Sequence, residues 1–301
     1  MLDRRGLYGM SIYESVISRE LIEKGWSGDR KYCATTETGE RYLLRISSAD
    51  RLERKSHEFF RMQQVVALGI PMCRPVEFGT CEEGVYSLQS WIDGVDAADC
   101  IMGLSPEKQY AYGLDAGRYL AKIHELPAPD DVPLWETRFN QKIDRKIKLY
   151  QDCERKYDRG DLFLAYLAKN RYLLCGRPQS YQHGDYHIGN MMIDHDGILN
   201  IIDFDRDDYG DPWEEFNRIV WSAEAAPAFA SGMVDGYFEG EVPMEFWQLL
   251  ALYICSNTLG SLPWAVPYGE DQIQIMIDQA EMILGWYDGM KCVVPSWYQN
   301  R

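Results

Sequence analysis

The sequence predicts an α+β chain of two unequal lobes: a small N-terminal lobe built on an antiparallel sheet with one helix, and a larger, mainly helical C-terminal lobe. Three observations predict it. Strand-like runs and one amphipathic helical stretch alternate up to residue 92, the pattern becomes mostly helical after Ile92-Asp93-Gly94, and a second hairpin signal recurs between Met191 and Phe204. At 301 residues the chain is about twice a common domain and can bury a sizeable core in each part. The division expected is 1–92 and 93–301. No internal repeat or low-complexity tract interrupts it.

The elements follow in order. After a short helical opening, Arg30–Thr35 and Arg41–Ser47 read as strands joined by the turn Glu37-Thr38-Gly39-Glu40. Residues 51–68 place Leu52, Phe59, Met62 and Val66 at helical spacing and stop at Gly69 and Pro71. Val76–Thr80 and Val85–Ile92 are two further strands. Beyond the break, 106–125 and 138–175 carry helical periodicity, and the charged run Lys142–Arg159 reads as a solvated helix face. A polar island, Gln182–Asn190, opens into Met191–Ile193 and Ile198–Phe204 with the turn Asp194-His195-Asp196-Gly197 between them. Asp211-Pro212-Trp213-Glu214 then offers an N-cap, a proline at the first helical position and a capping-box glutamate, and the rest reads as helices.

Charge narrows the function classes. Residues 1–92 hold thirteen bases and thirteen acids, so the whole net charge of −16 resides in 93–301. Between Ile219 and Met290 there are ten carboxylates and no Lys, Arg or His, which excludes a phosphate-tracking nucleic-acid groove there and favours a cationic ligand. The eight cysteines stand singly with no C-x-x-C pair, as in a reducing compartment. The first residues lack the apolar core of a signal peptide, and Leu249–Cys255, the longest apolar run, is too short to span a bilayer. A cytoplasmic protein without a membrane or nucleic-acid partner is the expectation.

The chemistry concentrates in His183-Gly184-Asp185-Tyr186-His187-Ile188-Gly189-Asn190, followed by Ile202-Asp203-Phe204. Polar side chains on a loop and at a strand end beside apolar strands need partners or a function. Asn190 and Asp203 each offer a hard oxygen, which suits Mg²⁺ better than Zn²⁺, and Asp185 can accept a proton from a hydroxyl. His183 reads as a loop brace, His187 and His195 as structural or exposed, His124 as a core histidine, and Asp211 and Glu214 as helix caps.

His-Gly-Asp-x-x-x-x-Asn, then Ile-Asp-Phe, then Gly-Asp-Pro resembles the aminoglycoside phosphotransferase family, small-molecule relatives of the protein kinases, and the order of lobes agrees over nearly the whole chain. The resemblance implies a bilobal protein-kinase-like fold, with Asp185 as catalytic base and Asn190 and Asp203 as ligands of a Mg²⁺ bridging the phosphates of ATP or GTP. It further implies Arg45 at the place of the strand-borne phosphate-binding lysine, Glu58 as its acidic partner, Ser27 at the phosphates, and main-chain groups of Gln89, Ser90 and Ile92 at the nucleotide base. Two departures stand out: arginine in place of lysine at 45, and Gly25-Trp26-Ser27-Gly28 with only two glycines. Arginine keeps the charge and adds a bidentate fork.

The expected activity is transfer of the γ-phosphoryl group to a hydroxyl of a small cationic acceptor, an aminoglycoside-like amino sugar above others. Asp205, Asp207 and Asp208, together with the base-free segment 219–290, are the candidate acidic wall for that acceptor. The competitors are a choline-like, fructosamine-type or macrolide acceptor on the same fold, a metallohydrolase built on His183, Asp185 and His187, and a non-catalytic nucleotide-binding relative.

Overall fold

A computed structural model of the chain describes residues 11–23 and 28–299. In chain order the elements are β1 (Val16–Ile22), β2 (Arg30–Thr36), β3 (Arg41–Ser47), α1 (Leu52–Ala67), β4 (Pro75–Cys81), β5 (Gly84–Ser90), β6 (Gly94–Asp96), α2 (Ala97–Ile101), α3 (Pro106–Ile123), α4 (Trp135–Asp152), α5 (Gly160–Asn170), β7 (Ser180–Gln182), β8 (Met191–Asp194), β9 (Leu199–Ile201), β10 (Asp208–Gly210), α6 (Ile219–Ala225), α7 (Pro227–Phe238), α8 (Met244–Ala265) and α9 (Glu270–Trp286). This is the α+β, protein-kinase-like architecture expected: a five-stranded sheet lobe with one helix, then a larger helical lobe. The helical opening is a correction. Among the described residues it is a single 3₁₀ turn at Tyr13–Ser15, followed by β1, whose side chains are largely exposed and so show no apolar alternation in sequence.

The chain folds as two compact units, one running to Val95 and including Met192–Asp205, the other comprising Asp96–Met191 and the residues from Arg206. In the first unit the sheet runs β1-β2-β3-β5-β4, antiparallel throughout, with Ala34, Leu44, Ile46, Tyr86 and Leu88 as its core. Helix α1 buries Lys55, Glu58, Met62 and Val65, positions three and four apart. The apolar end of that stripe is core and the charged end is site. Segment 192–205 lies far along the chain from the other strands of this unit. It joins the unit because Ile201 donates its N–H to Pro71 (2.9 Å) and accepts that of Cys73 (3.3 Å), and because β8 lies between β6 and β9 in a small sheet.

In the second unit α8 is the central helix, and α4, α5 and α9 pack on it. It is long and apolar enough to cross a membrane, but two thirds of its apolar window is buried inside the protein (67%). Its apolar character outruns Leu249–Cys255 because Ser256, Thr258 and Gly260 interrupt the run without adding charge. Helices α3 and α7 pack unusually closely. A methyl group added at Gly113, Gly117, Gly232 or Gly236 would lie 2.2, 2.2, 2.3 and 2.2 Å from a carbonyl oxygen of the opposite helix.

That crossing sets the first prediction. Alanine is the better helix former by about 1 kcal/mol, yet Gly117→Ala forces two backbones apart, and we expect a net loss of about 2 kcal/mol in urea unfolding. An unchanged midpoint would show that the helices separate without cost.

Candidate functional site

The first unit gathers its charges around Arg45. This residue sits on the central strand β3 with its side chain 3% exposed, so its guanidinium needs counter-charges. It has three: Nη1 donates to Asp203 Oδ1 (2.7 Å), Nη2 to Asp205 Oδ2 (2.9 Å), and Nε to Asp29 Oδ2 (3.3 Å). Burial alone would lower its pKa, but the three carboxylates outweigh that and hold it above the usual arginine range. Asp29 is the most enclosed acid. It accepts from Ser47 Oγ (2.6 Å), Lys55 Nζ (2.7 Å) and Arg51 Nη1 (3.0 Å) besides Arg45, and these partners overcome desolvation to keep it ionised.

Asp203 follows β9 with φ = +67°, a left-handed conformation that aspartate tolerates better than most residues and that tends to cluster at functional sites. Burial opposes its charge, but Arg45 and Lys31 Nζ (3.3 Å) push its pKa down to about 2. It is a carboxylate held in readiness for cations.

The second unit builds the His-Gly-Asp loop. Gly184 has φ = +86°, and a Cβ there would lie 1.9 Å from the Arg206 carbonyl oxygen, so the position admits only glycine. Its N–H donates to both oxygens of the buried Glu215 (3.0 and 3.1 Å). His183 Nδ1 accepts the N–H of Asp185 (3.3 Å), and Ser222 Oγ accepts that of Ile188 (3.0 Å). His187 Nδ1 caps the turn that carries Asn190 by accepting the Gly189 N–H (3.1 Å), and Asn190 Nδ2 donates to the Asp185 carbonyl (2.8 Å). Asn190 therefore keeps its amide oxygen as a metal or ligand donor. The Asp185 carboxylate is flanked by Arg218 Nε (3.2 Å), Arg206 Nη1 (3.6 Å) and His187 Nε2 (3.7 Å). Burial drives the His187 pKa down to about 4 despite Asp185, so the ring is neutral near pH 7, consistent with an Nδ1 that accepts.

The other expected residues land as follows. Arg45, Asp203 and Asp205 share the first-unit cluster, and Asp185 and Asn190 share the loop. Glu58 is buried and reaches that cluster through Lys55, three residues before it (2.8 Å), rather than through an ion pair of its own with Arg45; burial raises its pKa. Gln89 is buried on β5, its amide nitrogen 3.6 Å from Met62 Sδ. Ser90 is engaged twice with Arg74, donating its N–H to the carbonyl (2.8 Å) and accepting the Arg74 N–H on Oγ (2.9 Å), and Ile92 follows the strand. Ser27 lies outside the described residues.

Asp205, Asp207 and Asp208 do not share one environment. Asp205 neutralises Arg45, whereas Asp208 sits 3.7 Å from Arg138. Four of the ten acids of 219–290 are matched by bases earlier in the chain, one on α3 and three in loops: Glu239 by Arg118 (3.4 Å), Glu245 by Arg177 (3.7 Å), Glu281 by Arg159 (2.6 Å) and Glu270 by Arg155. Asp211 does more than cap. It is fully buried, gripped by Arg177 through Nε (2.7 Å) and Nη2 (3.1 Å), and also accepts the Trp213 N–H (3.0 Å). Glu214 pairs with Lys142 (3.1 Å) instead of closing a capping box. Sequence reasoning missed Asp29, Lys55, Glu215 and Arg218, which belong to no motif; only the helical phase of Lys55 with Glu58 hints at one of them.

A sheet lobe whose central strand carries a buried cation, and a helical lobe with a glycine-locked Asp loop, define a kinase-like small-molecule phosphotransferase. The chain belongs to the phosphotransferase enzyme family APH, whose model matches residues 18–247. No curated protein sequence matches it. Solved structures agree in fold. Aminoglycoside phosphotransferase APH(4)-Ia, in a thermostable apo form, is 18% identical with TM-score 0.64, over 90% of this chain and 94% of that one. A choline/ethanolamine kinase family protein from Mesorhizobium loti is 15% identical with TM-score 0.66, over 94% of each chain. A variant of aminoglycoside 2'-phosphotransferase-IIIa with GDP bound is 13% identical with TM-score 0.65, over 89% and 91%.

Two outcomes test the electrostatics. Arg45→Ala leaves the enclosed Asp29 and the partly buried Asp203 and Asp205 without their shared counter-charge, and we expect a loss of about 3 kcal/mol in chemical denaturation, with partial recovery in Arg45→Lys. For His187 the folded pKa lies below the unfolded value of about 6.5. Its contribution is therefore complete above pH 6.5 and is lost as pH falls towards 4, about 3 kcal/mol in all. His187→Asn should flatten that part of the stability–pH curve; an identical slope would show that the ring titrates normally.

Proposed function

We propose that the chain is a kinase that transfers the γ-phosphoryl group of ATP or GTP to a hydroxyl of a small acceptor. The observation that carries this is the Asp185 loop, whose backbone donors are fixed by His183, Glu215, Ser222 and His187. Such fixing counts because positioning and charge neutralisation supply most of the acceleration in phosphoryl transfer. Asp185 accepts the hydrogen bond of the acceptor hydroxyl, aims its oxygen at the γ-phosphorus, and takes the proton as the new P–O bond forms and the nucleoside diphosphate leaves. Glu215 holds the loop through Gly184 and is a positioning residue. Arg45 offsets phosphate charge, with Lys55 next to it through the shared Asp29.

The residues fit Mg²⁺. Asn190 offers an amide oxygen, and Asp203 a carboxylate already satisfied by cationic groups, which is the hard oxygen chemistry that ion prefers. Held at oxygens of this kind, Mg²⁺ would supply charge neutralisation for the nucleotide phosphates. Nucleotide use is supported by APH(4)-Ia variants solved with ADP or AMP-PNP, each also with hygromycin B. The amino-sugar acceptor rests on that likeness and on the acid excess of residues 93–301. The choline-like alternative rests on the Mesorhizobium loti relative. We place the reaction in the cytoplasm, in keeping with eight free cysteines.

A general base typically contributes about 10²–10⁴ in rate, so Asp185→Ala should lower kcat by at least that lower figure while nucleotide still shifts the melting temperature. A nucleotide-consumption screen across acceptors measures it, and undiminished turnover would remove Asp185 from the chemistry. Glu215→Ala should lower kcat by a smaller factor with little change in nucleotide affinity, because it acts through the loop.

A further inference from the structure

Helix α4 carries an unusual stripe of cations alongside two buried rings. Trp135, Arg138, Phe139, Lys142 and Arg145 recur on successive turns and, with Asp208, line a cavity of about 260 Å³ in the second unit. That volume suits one small metabolite. The rings beneath are buried, Trp135 4% and Phe139 1% exposed; they stack at 5.0 Å, and the Trp135 indole N–H donates to Tyr253 Oη (3.1 Å). Arg138 and Lys142 lie over these rings at 5.3 and 5.2 Å. The cations outnumber their counter-ions. Asp208 faces Arg138 at 3.7 Å and Glu214 faces Lys142 at 3.1 Å, but among the described residues no carboxylate lies within ion-pair distance of Arg145 or of the neighbouring Lys146. Lys146 packs its stem on Gly260, and its ammonium has only Asn257 Oδ1 at 3.5 Å. Burial first, then Lys142 with Arg218 and Arg145, push its pKa down to about 7. In a chain of net charge −16, Arg138, Lys142 and Arg145 on the cavity still outnumber Asp208 and Glu214, with Lys146 adding only part of a charge.

The cavity adjoins the Asp185 loop within the same unit. Asp208 pairs with Gln182 in the β10–β7 ladder, and Gln182 stands three residues before Asp185, a span of at most about 11 Å. Gln182 Nε2 also reaches Glu214 (3.4 Å), the partner of Lys142.

We propose that this cavity binds the acceptor through an anionic group, carboxylate or phosphate, set between Arg145 and Lys142, with its carbon frame against the alkyl stems of Arg138 and Lys142 that cover the buried rings. The assignment rests on the kinase reading above and replaces the amino-sugar acceptor with a hydroxylated acid or a sugar phosphate. Opposite charge supplies recognition, and the buried rings hold Arg138 and Lys142 in place above them.

The test has a binding arm and a turnover arm. Intact protein saturated with ADP and Mg²⁺ is titrated calorimetrically with glycerate, glucose 6-phosphate and glucosamine, and the same is done for Arg145→Glu, an exposed change that should leave the fold intact. We expect one of the two anions to bind, weakened at least tenfold in Arg145→Glu, and glucosamine not to bind; which anion binds distinguishes carboxylate from phosphate. In turnover, nucleotide consumption with that anion should show a KM raised at least tenfold and kcat within about twofold. Glucosamine consumed with KM unchanged or lowered in Arg145→Glu overturns the proposal and leaves the kinase standing. Anion binding that Arg145→Glu does not weaken, or no anion binding at all, also overturns it. Charge-dependent binding with no nucleotide consumption for any acceptor keeps the site and removes the kinase reading.

Discussion

A guanidinium enclosed in the central strand of a small sheet is the constraint around which the first unit is organised. Arg45 cannot shed its charge, so carboxylates must come to it, and two of the three come from a segment more than 150 residues downstream, at Asp203 and Asp205. Ion pairing therefore works with the β6-β8-β9 sheet to hold residues 192–205 in a unit otherwise made of the first 95. It also fixes Asp203 in a left-handed conformation that an unrestrained aspartate would leave readily. A lysine at position 45 would have one point of charge for three acids. The fork of arginine addresses them separately, which gives a structural reason for the departure from the family residue.

How much of this was legible in the sequence depends on whether the signal was local. The hairpins at 30–47 and 191–201, the helix of 52–67 and the strands on either side of Gly84 follow from alternation, turn chemistry and helical phase, all short-range. Strand β1 escaped because its exposed residues leave no apolar rhythm. The motif residues Asp185, Asn190 and Asp203 were legible as a set by type and spacing. Asp29, Lys55 and Glu215 were not, since each gains meaning only from a tertiary partner: Asp29 from Arg45 sixteen residues on, Glu215 from an N–H thirty-one residues earlier. Glu58 acts on Arg45 through charge at a distance, its own ion-pair partner being a lysine one helical turn before it.

Charge counting along the chain left out tertiary partners in a similar way. Ten acids without a base between 219 and 290 suggested a wall for a cation, but sequence segregation is not spatial segregation. Arg118 on α3 and Arg155, Arg159 and Arg177 in loops meet four of those acids. The charged run from α4 onward does lie largely in solvent, with Arg155 and Arg159 in exposed pairs beyond the helix; at its front, Arg138, Lys142 and Arg145 follow the three-to-four residue phase and line a cavity. Periodicity of charge, not density, was the informative quantity.

The two units solve one problem by a shared device. Residues meant to hold or move charge must sit on irregular backbone, and irregular backbone is weakly held unless its donors are satisfied. In the second unit the buried Glu215 takes the Gly184 N–H on both oxygens. In the first, Asp29 gathers Arg45, Lys55, Arg51 and Ser47 into one cluster. Neither acid has room for a further partner of its own, because each is nearly sealed from solvent and its oxygens are already engaged. Their value is mechanical: each converts the cost of a buried carboxylate into a fixed position for a neighbour, Asp185 in one case and Arg45 in the other. The groups left partly open to solvent, Asp185 and Asp203, are then the ones able to exchange a protein partner for a ligand.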